Sequence, residues 1–346
     1  MPSLMKSDSK QMGSKRLREI VAAFPKTTVA VMGDLVADEF VYGEISRVSR
    51  EAPVLILKHR ERTIVPGGGA NAIYNLADLG VKVLPVGVVG DDEPGRLLLE
   101  RFEEKKISTR GILVIKGRTT VTKTRILAGM THTSRQQVVR VDREPEKDLG
   151  TGIENQLTTM ARQFARGADA LLISDYGYGA ATPALLRKVQ TNGSLNGMPV
   201  ALDSRYRLLE YSGVTAATPN EPEVEEALQV SIGSDNSRLY AAGRELLDRM
   251  KLESLVITRG RDGMVSFTRG QKPVDIPIFG SDQVADVTGA GDTVIATFTA
   301  ALAAGADAQS AAHLANYAGG IVVMKRGTAT VTRDELLKAL EKSEKQ

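Results

Sequence analysis

Apolar positions along the chain follow two periods that take turns. Short β-branched runs at 28–32, 81–89, 112–115, 170–174, 200–202, 214–218 and 255–258 read as buried strands. Stretches with apolar residues three and four apart fall between them and read as helices; one places Val294, Phe298, Ala301 and Leu302 on a single face. Further helices are predicted at 71–79, from 94, up to 167, from 182, up to 228, at 236–250, 307–325 and 332–341. Several strands run straight into polar residues: Gly33-Asp34, Gly90-Asp91, Asp175, Asp203, and Asn220 after Pro219. This order predicts an α/β fold, with a mostly parallel central sheet, helices on both faces, and polar groups gathered at the C-terminal edge of the sheet.

Two regions keep another rhythm. Residues 40–58 carry Gly43, Pro53 and β-branched positions without helical spacing, so they read as short strands of a subsidiary sheet. Residues 121–127 and 137–142 alternate with period two. That period puts Lys123 and Arg125 on one face, and Arg140 with Asp142 on one face of the next strand. The expected organisation is a tail and short basic helix over 1–26, then one α/β domain over 27–346. Its small β lid comes from about 39–60 and 118–142.

Composition narrows the function classes. The 45 basic and 42 acidic residues nearly cancel, and aromatics are 4%, so neither a nucleic-acid footprint nor a base-stacking platform is expected. There is no cysteine, which excludes disulfides, thiolate catalysis and Cys-bound metals. Residues 1–19 are polar and basic without the apolar core of a signal peptide, and no run reaches the length of a membrane span. A cytoplasmic protein is the expectation. His59, His132 and His313 lack ligand spacing and read as surface or packing residues.

The candidate chemistry lies in two glycine-rich segments. After the polar run 280–283 comes Asp286-Val287-Thr288-Gly289-Ala290-Gly291-Asp292-Thr293, which leads into a helix. Two glycines around one residue at a helix start let successive amides point outward toward an anion, typically a phosphate. Pro66-Gly67-Gly68-Gly69-Ala70-Asn71 opens another predicted helix, where glycines permit close backbone approach and Asn71 can cap the helix or bond a hydroxyl. The P-loop pattern, the nucleophile elbow and a full dinucleotide fingerprint are all missing. Phosphoryl transfer fits what is present, because it needs positioning, charge neutralisation and a base near the attacking hydroxyl. Gly289, Ala290 and Gly291 offer the amide hole. Asp292 offers the base, and its place at a helix N-terminus is expected to favour the ionised form. Lys123 and Arg125 could grip a phosphate.

With both segments in hand, the chain resembles the ribokinase (PfkB) family of carbohydrate kinases over roughly residues 27–340. Within it, the stretches 33–38, 46–54, 122–125, 136–142, 174–176 and 218–221 are similar to the D-glycero-β-D-manno-heptose 7-phosphate kinases. Those enzymes occur alone or as the N-terminal half of a bifunctional protein that makes ADP-heptose for lipopolysaccharide. The resemblance implies a ribokinase-like fold. It also implies ATP-dependent phosphorylation of the C1 hydroxyl of the heptose 7-phosphate, to the 1,7-bisphosphate. It implies Asp292 as base, with Asp34, Asp38, Gly67, Gly68, Asn71 and Asp175 at the sugar and Lys123, Arg125 and Arg140 at its phosphate. Arg47 is a further candidate there. Asn220, Glu221, Glu223, Thr258, Gly260, Gly263 and Asn316 would border the nucleotide, and Glu223 with Asn220 would hold Mg²⁺ through water. ATP and Mg²⁺ are the implied co-substrate and metal, a monovalent cation such as K⁺ is compatible, and a homodimer through the lid strands is implied. No nucleic acid or membrane partner is expected.

Two departures bear on the sugar. Where the heptose kinases carry Asp-Tyr-Ala-Lys-Gly and Asp-Pro-Lys, this chain has Asp175-Tyr176-Gly177-Tyr178-Gly179 and Asp203-Ser204-Arg205. Up to Gln346 there is no H-x-G-H-type nucleotidyltransferase motif, so a chain of this extent would leave adenylylation to another protein. Other readings are a sibling kinase of fructose 1-phosphate or ribose, a non-catalytic sugar- or nucleotide-binding regulator on the same fold, and a Rossmann oxidoreductase.

Overall fold

A computed structural model describes residues 2–129, 136–193, 195, 197–280 and 285–344. His132, residues 130–135 of the expected lid and residues 281–283 of the polar run lie outside that range. The chain opens with α1 (Pro2–Ala23), longer than the short helix expected there. It then gives β1 (Thr28–Gly33), β2 (Leu35–Val48), β3 (Leu55–Gly68) and α2 (Gly69–Asp78). Next come β4 (Lys82–Gly90), α3 (Glu93–Glu104), β5 (Ile112–Ile115), β6 (Val121–Gly129) and β7 (Gln136–Arg143). A regular alternation follows: α4 (Gly150–Ala165), β8 (Ala170–Asp175), α5 (Pro183–Gln190), β9 (Val200–Ser204), β10 (Ala216–Ala217), α6 (Glu221–Leu228), α7 (Asn236–Arg249), β11 (Ser254–Thr258). The end of the chain is β12 (Met264–Thr268), β13 (Val274–Ile276), α8 (Ala290–Ala303), α9 (Ala308–Val322) and α10 (Arg333–Glu344).

Nine strands form one sheet in the order β13-β12-β11-β10-β9-β8-β1-β4-β5. All neighbours are parallel except β11–β12 and β12–β13. Strand alternation divides the core in two. Val29, Val31 and Leu172 pack with α2, α8 and α9 on one face, while Ala30, Met32, Leu171 and Ile173 pack with α4, α5 and α7 on the other. Each fully buried Leu or Ile in these layers contributes roughly 1.5–3 kcal/mol, so the sheet is a firm platform for the loops at its C-terminal edge. α8 is buried continuously from Asp292 to Ala301. Its apolar surface therefore wraps all round rather than forming the single face that the spacing suggested.

A second sheet, β3-β2-β6-β7, stands over that edge. Its strands begin earlier and run later than the alternation implied. β2 starts directly after Asp34, and bulges at Tyr42/Gly43 and Ile45/Arg47 obscure its period. The glycines of 66–69 do not form a free turn: Gly67 and Gly68 pair with Val36 and Leu35 as the last residues of β3. A Cβ on Gly67 would lie 2.6 Å from the Asp38 carboxyl, so only glycine lets these strands meet there. Buried Glu39 crosslinks the sheet by accepting from Arg62 on β3, Thr124 on β6 and Arg143 on β7. β10 is shorter than predicted, and β13 went unpredicted because Pro273 and Asp275 break its apolar pattern.

Candidate active site

The turn before α8 is wound by Gly289, whose φ of 77° lies in the left-handed region. Asp286 holds the turn in place by accepting from the amides of Thr288 (2.9 Å) and Gly327 (3.0 Å). The Ala290 amide donates to the Val287 carbonyl at 3.2 Å. The amides of Gly289, Gly291 and Asp292 have no acceptor among the described residues. Nothing lies within 4 Å of where a Cβ of Gly291 would project. Three amides therefore stand without acceptors among the described residues, and they are not the trio expected: Ala290 is already engaged and Asp292 takes its place.

Asp292 is 3% exposed. Asn71 Nδ2 donates to its Oδ2 at 2.9 Å and to the Gly289 carbonyl at 3.3 Å. The Tyr176 hydroxyl donates to its Oδ1 at 2.6 Å. Burial pushes the carboxyl up to about 7, against the bonds from Tyr176 and Asn71; Asp38 adds to the rise and Lys123 opposes it. The expectation that the helix start would simply favour the charged form is thus corrected, because burial is the largest influence on this carboxyl and raises it. Asn71 neither caps α2 nor stands free for a hydroxyl. It joins a buried ladder in which Asn75 donates to Asn71 and accepts from Thr293 on α8 (3.1 Å).

The other predicted sugar-side residues divide by their partners. Asp34 is 2% exposed and accepts from the amides of Tyr176, Tyr178 and Ala180 at 2.8–2.9 Å. Burial raises it to about 6 despite these donors, and nearby Asp175 adds to the rise. Asp175 is tied to Arg207, Tyr211 (2.9 Å) and Ser204 (3.1 Å). Both acids thus order the loop after β8 rather than presenting free oxygens. Asp38 accepts from Arg125 (2.6 Å) and Thr328 (2.9 Å), so Arg125 is committed to an ion pair instead of standing open beside Lys123. Gly68 has φ 53° where β3 turns into α2. Lys123 is half-buried, with Nζ 5.8 Å from the Tyr178 ring centre and no carboxylate of the described residues within 4.0 Å. Burial lowers its pKa; Asp142 opposes this, and the charges of Arg205 and Arg140 reinforce it. Arg140 pairs with Asp142 at 2.8 Å, and Arg47 is exposed far along β2.

Among the residues expected to border the nucleotide, Asn220 and Glu223 form a capping box for α6: each side chain accepts the other's amide at 2.9 Å. Glu223 Oε1 has no hydrogen-bond partner among the described residues, and Asp203 is near enough to feel the Glu223 charge. Burial pushes both carboxyls upward, and Glu223 adds to the rise at Asp203. Glu221 pairs with Arg259 at 2.8 Å. Thr258 ends β11 next to Asn220, and Gly260 and Gly263 bracket a tight turn with φ of 54° and 79°. Asn316 donates to the Pro277 carbonyl at 2.8 Å. Glu221, Arg259, Asp262, Pro277 and Ile278 line an open cleft of about 620 Å³.

The model of pfkB family carbohydrate kinases matches residues 26–335. The chain belongs to the pfkB family of carbohydrate kinases. Among curated relatives, the bifunctional protein HldE of Geobacter sulfurreducens is 39% identical and that of Pelobacter propionicus 37% identical, each over 330 residues. These alignments cover 95% of this chain and 66% of each relative, so the chain spans just under two thirds of their length. Two solved structures share the fold. Arabidopsis thaliana ribokinase, complexed with ribose and ATP, superposes with a TM-score of 0.72 at 19% identity, covering 91% of this chain and 99% of that one. Escherichia coli phosphofructokinase-2, in complex with potassium, gives 0.73 at 16% identity, covering 92% and 99%.

In this pfkB kinase, sequence reasoning missed Tyr176, Asn75, Thr328 and the Arg207–Tyr211 pair. One local signal existed. Asn71 and Asn75 lie one turn apart in a run of otherwise mostly apolar residues, a spacing that stacks polar groups on one helix face. The others are contacts between distant segments and leave no periodic trace.

Proposed function

We propose that the protein transfers the γ-phosphoryl group of ATP to the anomeric C1 hydroxyl of D-glycero-D-manno-heptose 7-phosphate. Asp292 takes the hydroxyl proton as the C1 oxygen attacks the γ-phosphorus. The bond from that phosphorus to the bridging oxygen breaks, and ADP leaves with the electron pair. The products are the 1,7-bisphosphate and ADP. The observation that carries this reading is the buried Asp292 at a turn where the amides of Gly289, Gly291 and Asp292 itself have no acceptor among the described residues. Those amides would stabilise charge on the transferred group. Mg²⁺, when bound, neutralises triphosphate charge; Glu223 Oε1 and Asn220 suit contact through water. The heptose assignment draws on the residue resemblance and on the HldE relatives. The decisive test is an ADP-release screen over sugar phosphates that includes the heptose 7-phosphate. Absence of turnover with it, alongside turnover with fructose 1-phosphate or ribose, would reassign the substrate.

The distal phosphate of the substrate falls to Lys123 and Arg205 in this reading, since Arg125 is bound to Asp38. Replacing both Lys123 and Arg205 by alanine is expected to raise KM for the phosphorylated sugar by roughly 10- to 100-fold, the scale of one or two charge-assisted bonds. KM for an unphosphorylated analogue should change little. Equal effects on both substrates would remove the phosphate grip.

The four-stranded sheet would act as a lid and as a dimer contact. β7 is exposed along its whole length, with Val138, Val139 and Val141 each 45–48% exposed, and Val48 and Leu55 are also open. An uncovered apolar strand at a sheet edge suits a second copy of the chain. Sedimentation should give a dimer at micromolar concentration and a monomer for the double variant Val139→Lys, Val141→Lys. A wild-type monomer would dismiss this contact.

A further inference from the structure

Tyr176 stands out because the kinase reading assigns it no task, yet it touches the base. It sits in a tightly anchored loop. Asp34 takes the amides of Tyr176, Tyr178 and Ala180, and Asp175 takes that of Gly177 at 3.0 Å. Gly177 and Gly179, with φ of 87° and 99°, give the loop its winding. The ring is therefore delivered from a fixed frame, with its hydroxyl 2.6 Å from Asp292 Oδ1. Burial and the nearby carboxylates hold its own pKa well above the usual tyrosine range, so it remains a donor throughout the working range.

We infer that Tyr176 is a positioning residue for phosphoryl transfer: its hydroxyl fixes the orientation of the Asp292 carboxylate and stabilises the ionised form. With Asn71 on the other oxygen, each oxygen keeps one lone pair for the attacking hydroxyl. This rests on the kinase reading above. The charged and polar groups facing Asp292 are Asn71 from α2, Asp38 from β2, Lys123 from β6, Asp203 from β9 and Tyr176 itself, and the charge of Glu223 on α6 acts on both Tyr176 and Asp203. Among them, Tyr176 and Asn71 donate hydrogen bonds to the carboxylate.

The sign follows from the bond. A donor to a carboxylate favours the charged form, so its loss moves the titration to higher pH. The base works only when ionised, so the wild-type rate is expected to rise with pH through a limb near 7. In Tyr176→Phe that limb should move up by about one pH unit, the effect of one hydrogen bond to a charged group. Below the limb the variant should be about tenfold slower, and well above it the two enzymes should converge. A role in packing alone would depress the rate at every pH.

The experiment pairs this profile with NMR of the full chain carrying carboxyl-labelled aspartate, with the Asp292 signal assigned by Asp292→Asn. An upward shift of that titration in Tyr176→Phe supports the inference, and an unmoved titration overturns it. Asp34→Asn, which loosens the loop without touching Asp292, should shift it the same way by less and serves if Tyr176→Phe does not fold. A wild type without turnover on any sugar phosphate would sink the kinase reading alone, because the titration needs no substrate.

Discussion

Asp292→Asn is expected to lower kcat by about a thousandfold while ATP binding stays within a few-fold of the wild type. The size follows from the contribution of a positioned general base, roughly 10²–10⁴. The substitution is informative because the pocket can accept the amide without rearrangement. Its carbonyl oxygen can face Asn71 Nδ2, and its NH₂ can donate to the Tyr176 oxygen, since a hydroxyl accepts as well as donates. What is lost is the charge and the capacity to take a proton. Burial already penalises that charge, so the neutral side chain costs less to desolvate and the melting temperature should hold or rise. Steady-state ADP release, calorimetric ATP titration and a thermal melt read the three quantities. Turnover near the wild-type rate would remove Asp292 from its role; loss of ATP binding or folding would show that the residue is mainly structural.

How much of this was legible in the sequence depends on the range of each interaction. The strand over 112–115 and the parallel rhythm after residue 170 were readable because burial imposes a local period. The octet was readable because a helix start that exposes amides needs glycines at fixed offsets. Partner choice was not. Asn71 and Asp292 are 221 positions apart, Tyr176 and Asp292 are 116 apart, and Thr328 reaches Asp38 across 290. Period two correctly set Arg125 beside Lys123 on one face, but it could not show that Asp38, on the neighbouring strand, would claim the guanidinium. Asn220 and Glu223 make the converse case. Their spacing fits a capping box as well as a metal-bordering motif, and the cap is formed. Sequence supplied the residue types that chemistry requires, while topology decided which of them face one another.

The same logic makes Gly289 the most sensitive backbone position in the site, and Gly289→Ala should lower both stability and turnover. Its φ of 77° would cost an alanine roughly 1–2 kcal/mol on conformation alone. The added Cβ would also lie 2.5 Å from Asn71 Nδ2 and 3.0 Å from Thr328 Cγ2. Asn71 cannot yield freely, because Asn75 ties it into the ladder to Thr293. If it moves, the 2.9 Å bond to Asp292 goes with it. If the turn moves instead, it carries with it the three amides that have no acceptor among the described residues. Either way the loss in kcat should be about 10²–10³-fold, the scale seen when donors to a developing anion are displaced. A fall of several degrees in melting temperature should accompany it. Gly291→Ala is the comparison that separates strain from function. Its Cβ meets no atom within 4 Å and its φ is not in the left-handed region, so folding should be unaffected. The methyl group would project into the space where the transferred phosphate is expected, so turnover should fall at unchanged stability. A Gly289→Ala protein with normal melting and normal turnover would mean that the turn is not held as described, and the anion-hole assignment would fall with it.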